Sequence, residues 1–455
     1  MTGKKKPNIL YLHSHDSGRY IQPYGHNVST PNLQQLAEDG IIFRQAFCAN
    51  PTCSPSRAAL LTGQAPHSNG MVGLAHLGMT LNNYDEHIVN TLKNVGYNTV
   101  LSGTQHVAPE AEMIGYDRIL QKEVKNKKNA AEVLADNFIK EDHEKPFFLS
   151  VGFDDTHRKF EEPAGDSPDT DPDFVKPPAP IPDTPETRND MAGYNASCKT
   201  LDKKMGQVLA ALEEAGLKEE TLVICTTDHG LAFPYMKCNL TDHGTGVFLM
   251  MRGPEEFSNH QVIDSLVSQV DIFPTICDFI NIEKPDWLQG HSLLPLVKGE
   301  KQKIRENVYT EVNYHVCYEP QRAVRTERYK YICRFMKQDT PFLPNCDDSP
   351  SKQLWMENGW QQKTIAKEQL YDLVFDPNET HNLADSSEHQ EVLKEMRANL
   401  KEWMKETEDP LLEGPVPHPD NALLIQGDKI SPEKDEKINA DKIKPTLNHI
   451  PFADE

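Results

Sequence analysis

The sequence predicts an α/β fold: a large, mostly parallel sheet flanked by helices on both faces, with a smaller C-terminal α+β subdomain. Two observations carry that prediction. Short apolar runs alternate with helical segments over the first 280 or so residues, and beyond residue 300 the pattern changes to shorter elements. The boundaries expected are 1–300 for a catalytic domain and 301–455 for a subdomain that completes its pocket.

The elements follow in order. "NILYL" (8–12) is the first strand, and "TPNLQQLAEDG" reads as a helix with Thr30 as N-cap, Pro31 in the first turn and Gly40 as terminator. In "NPTCSPSRAALLTG" (50–63), Ser54 and Pro55 suit cap and first-turn positions of a short helix that Gly63 stops. "NTVLS" (98–102) and "PFFLSVG" (146–152) are the next strands. The stretch 162–188, rich in Pro and Asp, reads as an ordered loop draped over the domain. A helix over 195–216 repeats apolar positions at helical spacing and ends at glycine, and the strands "TLVICTT" (221–227) and "GVFLMM" (246–251) follow. "GHSLLPLVKGE" (290–300) closes the large domain, and after "NVYTEV" and "RYKYICRF" comes a helix at 388–407. The last thirty residues are charged and are expected to wrap the surface.

Composition narrows the function classes. The 455 residues carry 47 Lys and Arg against 69 Asp and Glu, a net charge of −22. Nucleic-acid binding needs clustered cations, so it is excluded as a partner, and an anionic substrate needs a local positive pocket. Nine cysteines stand without CxxC spacing, which suggests reduced thiols. The apolar run Ile9–Leu12 is too short for a signal peptide and no stretch is long enough to span a bilayer. The expectation is a cytoplasmic protein without a membrane partner.

Four polar clusters fall just beyond predicted strands: His15-Asp16, His106, Asp155 with His157, and Asp228-His229. Ligands in open parallel sheets bind at the carboxyl ends of the strands, so these groups converge as in a metal-assisted hydrolase. Alone, a His-Asp pair after a strand is more often a cap or turn than a ligand, and a lone Cys53 more often a buried inert thiol. Yet Cys53 lies at the positive end of a short helix with Arg57 one turn in, and both features favour an anion there.

Cys53-Ser54-Pro55-Ser56-Arg57, followed by Leu61-Thr62-Gly63, resembles the C-x-P-S-R…L-T-G signature of the sulfatases, in the alkaline-phosphatase superfamily. The resemblance extends through "TPNLQQLAEDGIIFRQAFC", "GHSLLPLVKGE" and "QLYDLVFDPNETHNLAD". It implies that Cys53 is converted to formylglycine, whose hydrated aldehyde is the nucleophile, by a formylglycine-forming maturase, here a cytosolic one. It implies one divalent metal, calcium by family, held by His15, Asp16, Asp228 and His229. By the same resemblance Arg57 steadies the formylglycine oxygen and Lys237 contacts the sulfate. His157 protonates the leaving group, and His106 takes the proton whose loss releases sulfate.

Two departures stand out. The family usually pairs two aspartates where this chain has His15-Asp16, a softer donor set that makes manganese or zinc thinkable. Thr104 occupies the place of a lysine in the family's G-K-x-H, so Arg158 or Arg19 becomes a candidate for the missing charge.

"NGMVGLAHLG", "TQHVAPE", "DDTHRKF" and "KETEDPLLEG" are most similar to the sulfamidases, the N-sulfoglucosamine sulfohydrolase-like members, whose residues matching Asp155, His157 and Arg158 line the sulfate pocket. The substrate expected is a small sulfated sugar, N-sulfoglucosamine first and an O-sulfated hexosamine second. The alternatives are a phosphonate monoester or phosphodiester hydrolase, and a degenerate protein that binds sulfated sugar without turnover.

Overall fold

A computed structural model of the chain describes residues 6–124, 130–163 and 165–448. The central sheet contains β1 (Asn8–Ser14), β2 (Ile41–Phe43), β3 (Asn98–Gly103), β4 (Arg118–Ile119), β5 (Phe147–Gly152), β6 (Thr221–Thr227), β7 (Leu249–Arg252) and β8 (Gln261–Ile263). Their spatial order is β4-β3-β5-β1-β6-β7-β2-β8. Every neighbouring pair is parallel except those of β7, which runs against β6 and β2.

The apolar strands are buried on both faces. Along β1, Ile9 and Tyr11 enter one hydrophobic layer while Leu10 and Leu12 enter the other, as the two-residue period of a strand requires. Helices Cys53–Thr62, Ile88–Asn94 and Ile272–Phe279 cover the first face; Pro31–Asp39, Ala131–Ile139 and Pro185–Glu214 cover the second. A second sheet of four antiparallel strands, Val308–Tyr314, Tyr318–Arg325, Tyr329–Arg334 and Glu368–Asp372, packs with helix Gln390–Glu406 onto the first layer.

Three boundaries differ from those read in the sequence. The long helix begins at Pro185 rather than near 195, because Pro185 fills a first-turn position where its missing N–H costs nothing, and Thr184 and Thr187 cap it reciprocally. The short helix begins at Cys53 itself, with Thr52 as N-cap, so Ser54 and Pro55 lie inside the first turn. The strand expected at 246–251 covers Leu249–Arg252, since Gly246 makes only an isolated bridge to Phe47. Of the C-terminal tail, 449–455 lie outside the described residues, and Leu423–Leu424 pairs with Ile438–Asn439 before them.

Register positions the site. Ser14 pairs with Thr227, His13 with Gly152, and Gly152 with Gly103, so β1, β3, β5 and β6 end at one level. The residues after them leave the sheet together at its carboxyl edge. A Cβ on Gly152 would lie 1.9 Å from the Thr104 carbonyl oxygen, and one on Gly103, at φ 83°, would lie 2.1 Å from that of Gly152. Glycine at both positions lets the two exit loops run side by side.

The second sheet is tied down by a fully buried pair: Arg322 donates to both carboxylate oxygens of Asp409, at 2.6 and 2.9 Å. Asp409→Ala leaves that guanidinium with only the more distant Glu311 carboxylate, at 3.6 Å, and is expected to cost about 3 kcal/mol, read as a lower urea midpoint.

Candidate active site

Asp228, the residue after β6, is the centre of the cluster. One carboxylate oxygen accepts from the backbone N–H groups of Asp16 (2.8 Å) and His229 (2.9 Å). The other accepts from Arg57 at 3.0 Å and lies 3.2 Å from His15 Nδ1. Burial alone would raise its pKa, but His229, Arg57 and His15 outweigh burial and hold it well below the carboxylate range. Asp16 is similarly placed, with Lys237 Nζ at 3.0 Å on one oxygen and His229 Nε2 at 3.2 Å from the other. His229 Nδ1 is 2.9 Å from the Gly230 carbonyl, which can only accept. That bond puts the proton on Nδ1 and leaves the Nε2 lone pair facing Asp16 and Cys53, whose sulfur is 3.4 Å away.

Cys53 opens its helix at this cluster. Ser56 donates to the Asp228 carbonyl at 2.5 Å, and Arg57 reaches back to the Ser14 carbonyl at 2.7 Å and to His13 Nδ1, docking the helix onto the ends of β1 and β6. Burial pushes the Cys53 thiol up, with Lys237 only partly opposing it, so at neutral pH the unmodified side chain is a protonated, weak nucleophile.

The donor set fits a divalent cation. His15 Nδ1 and Asp16 Oδ1 are buried without hydrogen-bond partners among the described residues, and ligand atoms of His15, Asp16, Cys53 and Asp228 all lie within 4.8 Å of one another. One imidazole, two carboxylates and the Cys53 sulfur thus converge on one point, with His229 Nε2 beside it, 3.2 Å from Asp16 Oδ1.

Outside this cluster a pocket of about 540 Å³ opens, with His15, His106 and His157 among its lining residues. The His15 ring lies 5.5 Å from both His106 and His157. His157 Nδ1 is 2.6 Å from the Arg158 carbonyl, which places its proton there and leaves Nε2 for exchange. Asp155 and Thr104 also line the pocket; Asp155 accepts from Lys204 at 2.7 Å, and Thr104 donates to Asp154 at 2.6 Å.

Two sequence expectations are corrected. Neither Arg158 nor Arg19 is available to replace a lysine at position 104. Arg158 is bonded to both oxygens of Asp190 at 2.6 and 2.8 Å and to the Ala232 carbonyl at 2.7 Å, and packs on the rings of Phe160 and Phe233. Arg19 donates to the Ala46 carbonyl at 2.8 Å and lies over Phe47. Sequence reasoning also missed four residues. Asp347 holds Lys237 from the far side at 3.1 Å, and His315, driven by burial to a pKa of about 3, lies beside them. His76 stacks on His106 with a nitrogen–nitrogen distance of 3.3 Å, and Lys204 reaches in from the long helix. His315 and Asp347 had no local signal, because the second sheet and its connections bring them from more than seventy residues beyond Lys237. His76, inside "GLAHLG", carried one.

The chain is similar to known proteins along most of its length. The Sulfatase family profile matches residues 7–282, and the profile of the N-sulphoglucosamine sulphohydrolase C-terminal region matches residues 234–368. The human N-sulphoglucosamine sulphohydrolase is 31% identical over 94% of this chain and 94% of its own length. An ulvan-active sulfatase of Formosa agariphila is 29% identical over 90% of this chain and 82% of its own. A solved structure in complex with its substrate D-glucosamine-2-N,6-O-disulfate superposes with a TM-score of 0.68, at 20% identity, over 90% of this chain and 99% of that one. Profile match and relative together show that the chain belongs to the sulfatase family.

Proposed function

We propose that this sulfatase removes sulfate from a small sulfated amino sugar, with N-sulfoglucosamine as the favoured substrate. The observation that carries the reading is the meeting of Cys53, Arg57, Lys237 and His229 around Asp16 and Asp228. Similarity to the human N-sulphoglucosamine sulphohydrolase along nearly the whole chain supports the substrate class.

With Cys53 converted to formylglycine and a divalent ion held by His15, Asp16, Asp228 and His229, the site gains a hydrated-aldehyde nucleophile and a Lewis acid for a sulfate oxygen. The chain's own residues supply the rest. Arg57, fixed by Asp228 and the Ser14 carbonyl, steadies the nucleophilic oxygen at the helix start. Lys237, held between Asp16 and Asp347, presents the remaining donor of its ammonium to the sulfate. His157 gives a proton from Nε2 to the departing nitrogen or oxygen while its Nδ1–H stays on the Arg158 carbonyl. His106 takes the proton that releases sulfate, oriented by His76. Asp155 and Thr104 line the approach. Residues 301–455 complete the inner cluster, with Asp347 and His315 against Lys237.

All nine cysteines are buried and unbridged, which supports a reducing, cytoplasmic setting and a cytosolic maturase that acts before folding closes over Cys53.

Cys53→Ala is expected to abolish turnover of aryl sulfate and N-sulfoglucosamine with an unchanged circular dichroism spectrum. Mass spectrometry of the wild-type peptide should show the aldehyde, and substantial activity in the variant would overturn the mechanism. Faster cleavage of an aryl phosphonate ester than of the sulfate, in the same assay, would move the assignment to phosphonate or phosphodiester hydrolysis. Tight binding of N-sulfoglucosamine by fully modified enzyme without release of sulfate would make the chain a sugar-binding protein.

Asp228→Asn removes a proposed ligand and the carboxylate that pairs with Arg57. Elemental analysis should find about one divalent ion per wild-type chain and none in the variant, whose kcat should fall by at least about 10²-fold.

A further inference from the structure

His76 orients His106, yet its placement allows more. It is exposed and lines the outer pocket, and it also lines a second cavity of about 370 Å³ that meets the first at His76, Thr104 and His106. Its turn is docked on the helix of Cys53: the Ala75 N–H donates to Ser54 Oγ at 3.0 Å, and Leu74 and Leu77 pack in one buried cluster with Cys53. From there His76 Nδ1 lies 3.3 Å from His106 Nε2.

The two ring nitrogens of His106 have different surroundings. Nε2 meets the exposed His76, whereas Nδ1 is buried and without a hydrogen-bond partner among the described residues. Candidate donor atoms of His15, Cys53 and His106 all lie within 4.8 Å of one another, so a ring nitrogen of His106 is close to the sulfur at position 53. The His106 loop, with φ 58° at that residue, is held by Gln105. Its Oε1 accepts from the N–H groups of Val107 and Ala108, and its Nε2 donates to the Ala108 carbonyl at 2.6 Å. One imidazole thus joins a buried nucleophile position to an exposed imidazole. A proton retained on it would leave a charged ring in a buried setting where the Arg57 charge also acts, which desolvation and like charge both disfavour.

From this geometry, and resting on the sulfatase reading above, we infer that His76 is a proton-relay residue that acts through His106. In the step that frees sulfate, the remaining O–H bond of the hydrated aldehyde at position 53 breaks and its electrons close the C=O bond. The C–O bond to sulfate breaks with its electron pair leaving on sulfate, and the proton goes to His106 Nδ1. His106 gives the proton already on Nε2 to His76 Nδ1, and His76 gives the one on its own Nε2 to water in the pocket. Neither ring keeps a charge. When water adds to the aldehyde for the next turnover, the Nδ1 proton of His106 passes to the carbonyl oxygen and the path resets in reverse, while the attacking water loses its own proton to solvent.

The test uses metal-loaded, formylglycine-bearing enzyme with 4-nitrophenyl sulfate. The variant is His76→Gln, whose amide oxygen can accept from His106 but cannot pass a proton on. It should release one equivalent of nitrophenol rapidly and then turn over about tenfold or more slowly than the wild type. Acid-quenched variant protein should carry sulfate on the peptide that contains position 53. His76→Gly should show the same block and regain rate when imidazole is added, which a purely structural role would not produce. Nitrogen NMR of selectively labelled histidines in the wild type should find the protons on Nε2 of both His76 and His106. Turnover of His76→Gln close to that of the wild type, equal slowing of its first nitrophenol release, His76→Gly without imidazole rescue, or a proton on His106 Nδ1 overturns the relay while leaving the sulfatase reading in place. A wild type that releases no nitrophenol overturns the sulfatase reading, and the relay with it.

Discussion

The site depends on the carboxylate of Asp228. Its two oxygens take the backbone of the loop after β1, the backbone of its own loop after β6, and the guanidinium of the helix that begins at Cys53. Three elements far apart in sequence are thereby fixed to one another through charge-assisted bonds in a buried setting, where such bonds are strong and their loss is costly. Ser56 adds a bond to the Asp228 carbonyl, so the same residue holds the helix by side chain and backbone. The positions proposed for the nucleophile and for the cation are therefore not independently placed. Both are referred to one aspartate, whose own location is set by the pairing of Ser14 with Thr227.

The backbone carries a local cost for this arrangement. Of the eight non-glycine residues with positive φ among the described residues, Asp16 (47°), His106 (58°), Tyr235 (63°) and Cys238 (64°) lie at or beside the cluster. Left-handed conformations are unfavourable for residues with a Cβ and persist where surrounding contacts over-determine them. Asp16 and His106 lie in the loops that leave β1 and β3 at the carboxyl edge of the sheet. Tyr235 and Cys238 flank Lys237 and curl its loop, so that the ammonium is buried between two carboxylates.

Much of this was legible in the sequence. The five strands were readable because their apolar runs are bounded by polar residues, and the clusters after them showed where the chain leaves the sheet. The C-x-P-S-R segment marked the helix that begins at Cys53, although its first residue was misplaced, because Ser and Pro are as suitable inside the first turn as at the cap. What the sequence could not yield was partnership. Arg158 looked like a free cation until Asp190, thirty-two residues on, proved to occupy both arms of its guanidinium. Asp347 and His315 reach Lys237 only through the packing of the second sheet, which no local pattern encodes.

The same distinction between having a charge and having it free governs how an acidic protein handles an anion. A net charge of −22 repels sulfate at a distance, and the inner site reverses that sign with few cations because they are buried. Arg57 and Lys237 are each held by buried carboxylates, so they are pre-positioned and do not have to be collected at the moment of binding. The pairing also limits them. Each cation is already balanced within the chain, and the surplus that welcomes an anion comes from donors left over once those bonds are made, together with the ion that His15, Asp16, Asp228 and His229 are arranged to hold. An inner site built this way accepts one compact anion at one point. Its attraction falls off with distance from that point, as any Coulombic attraction does.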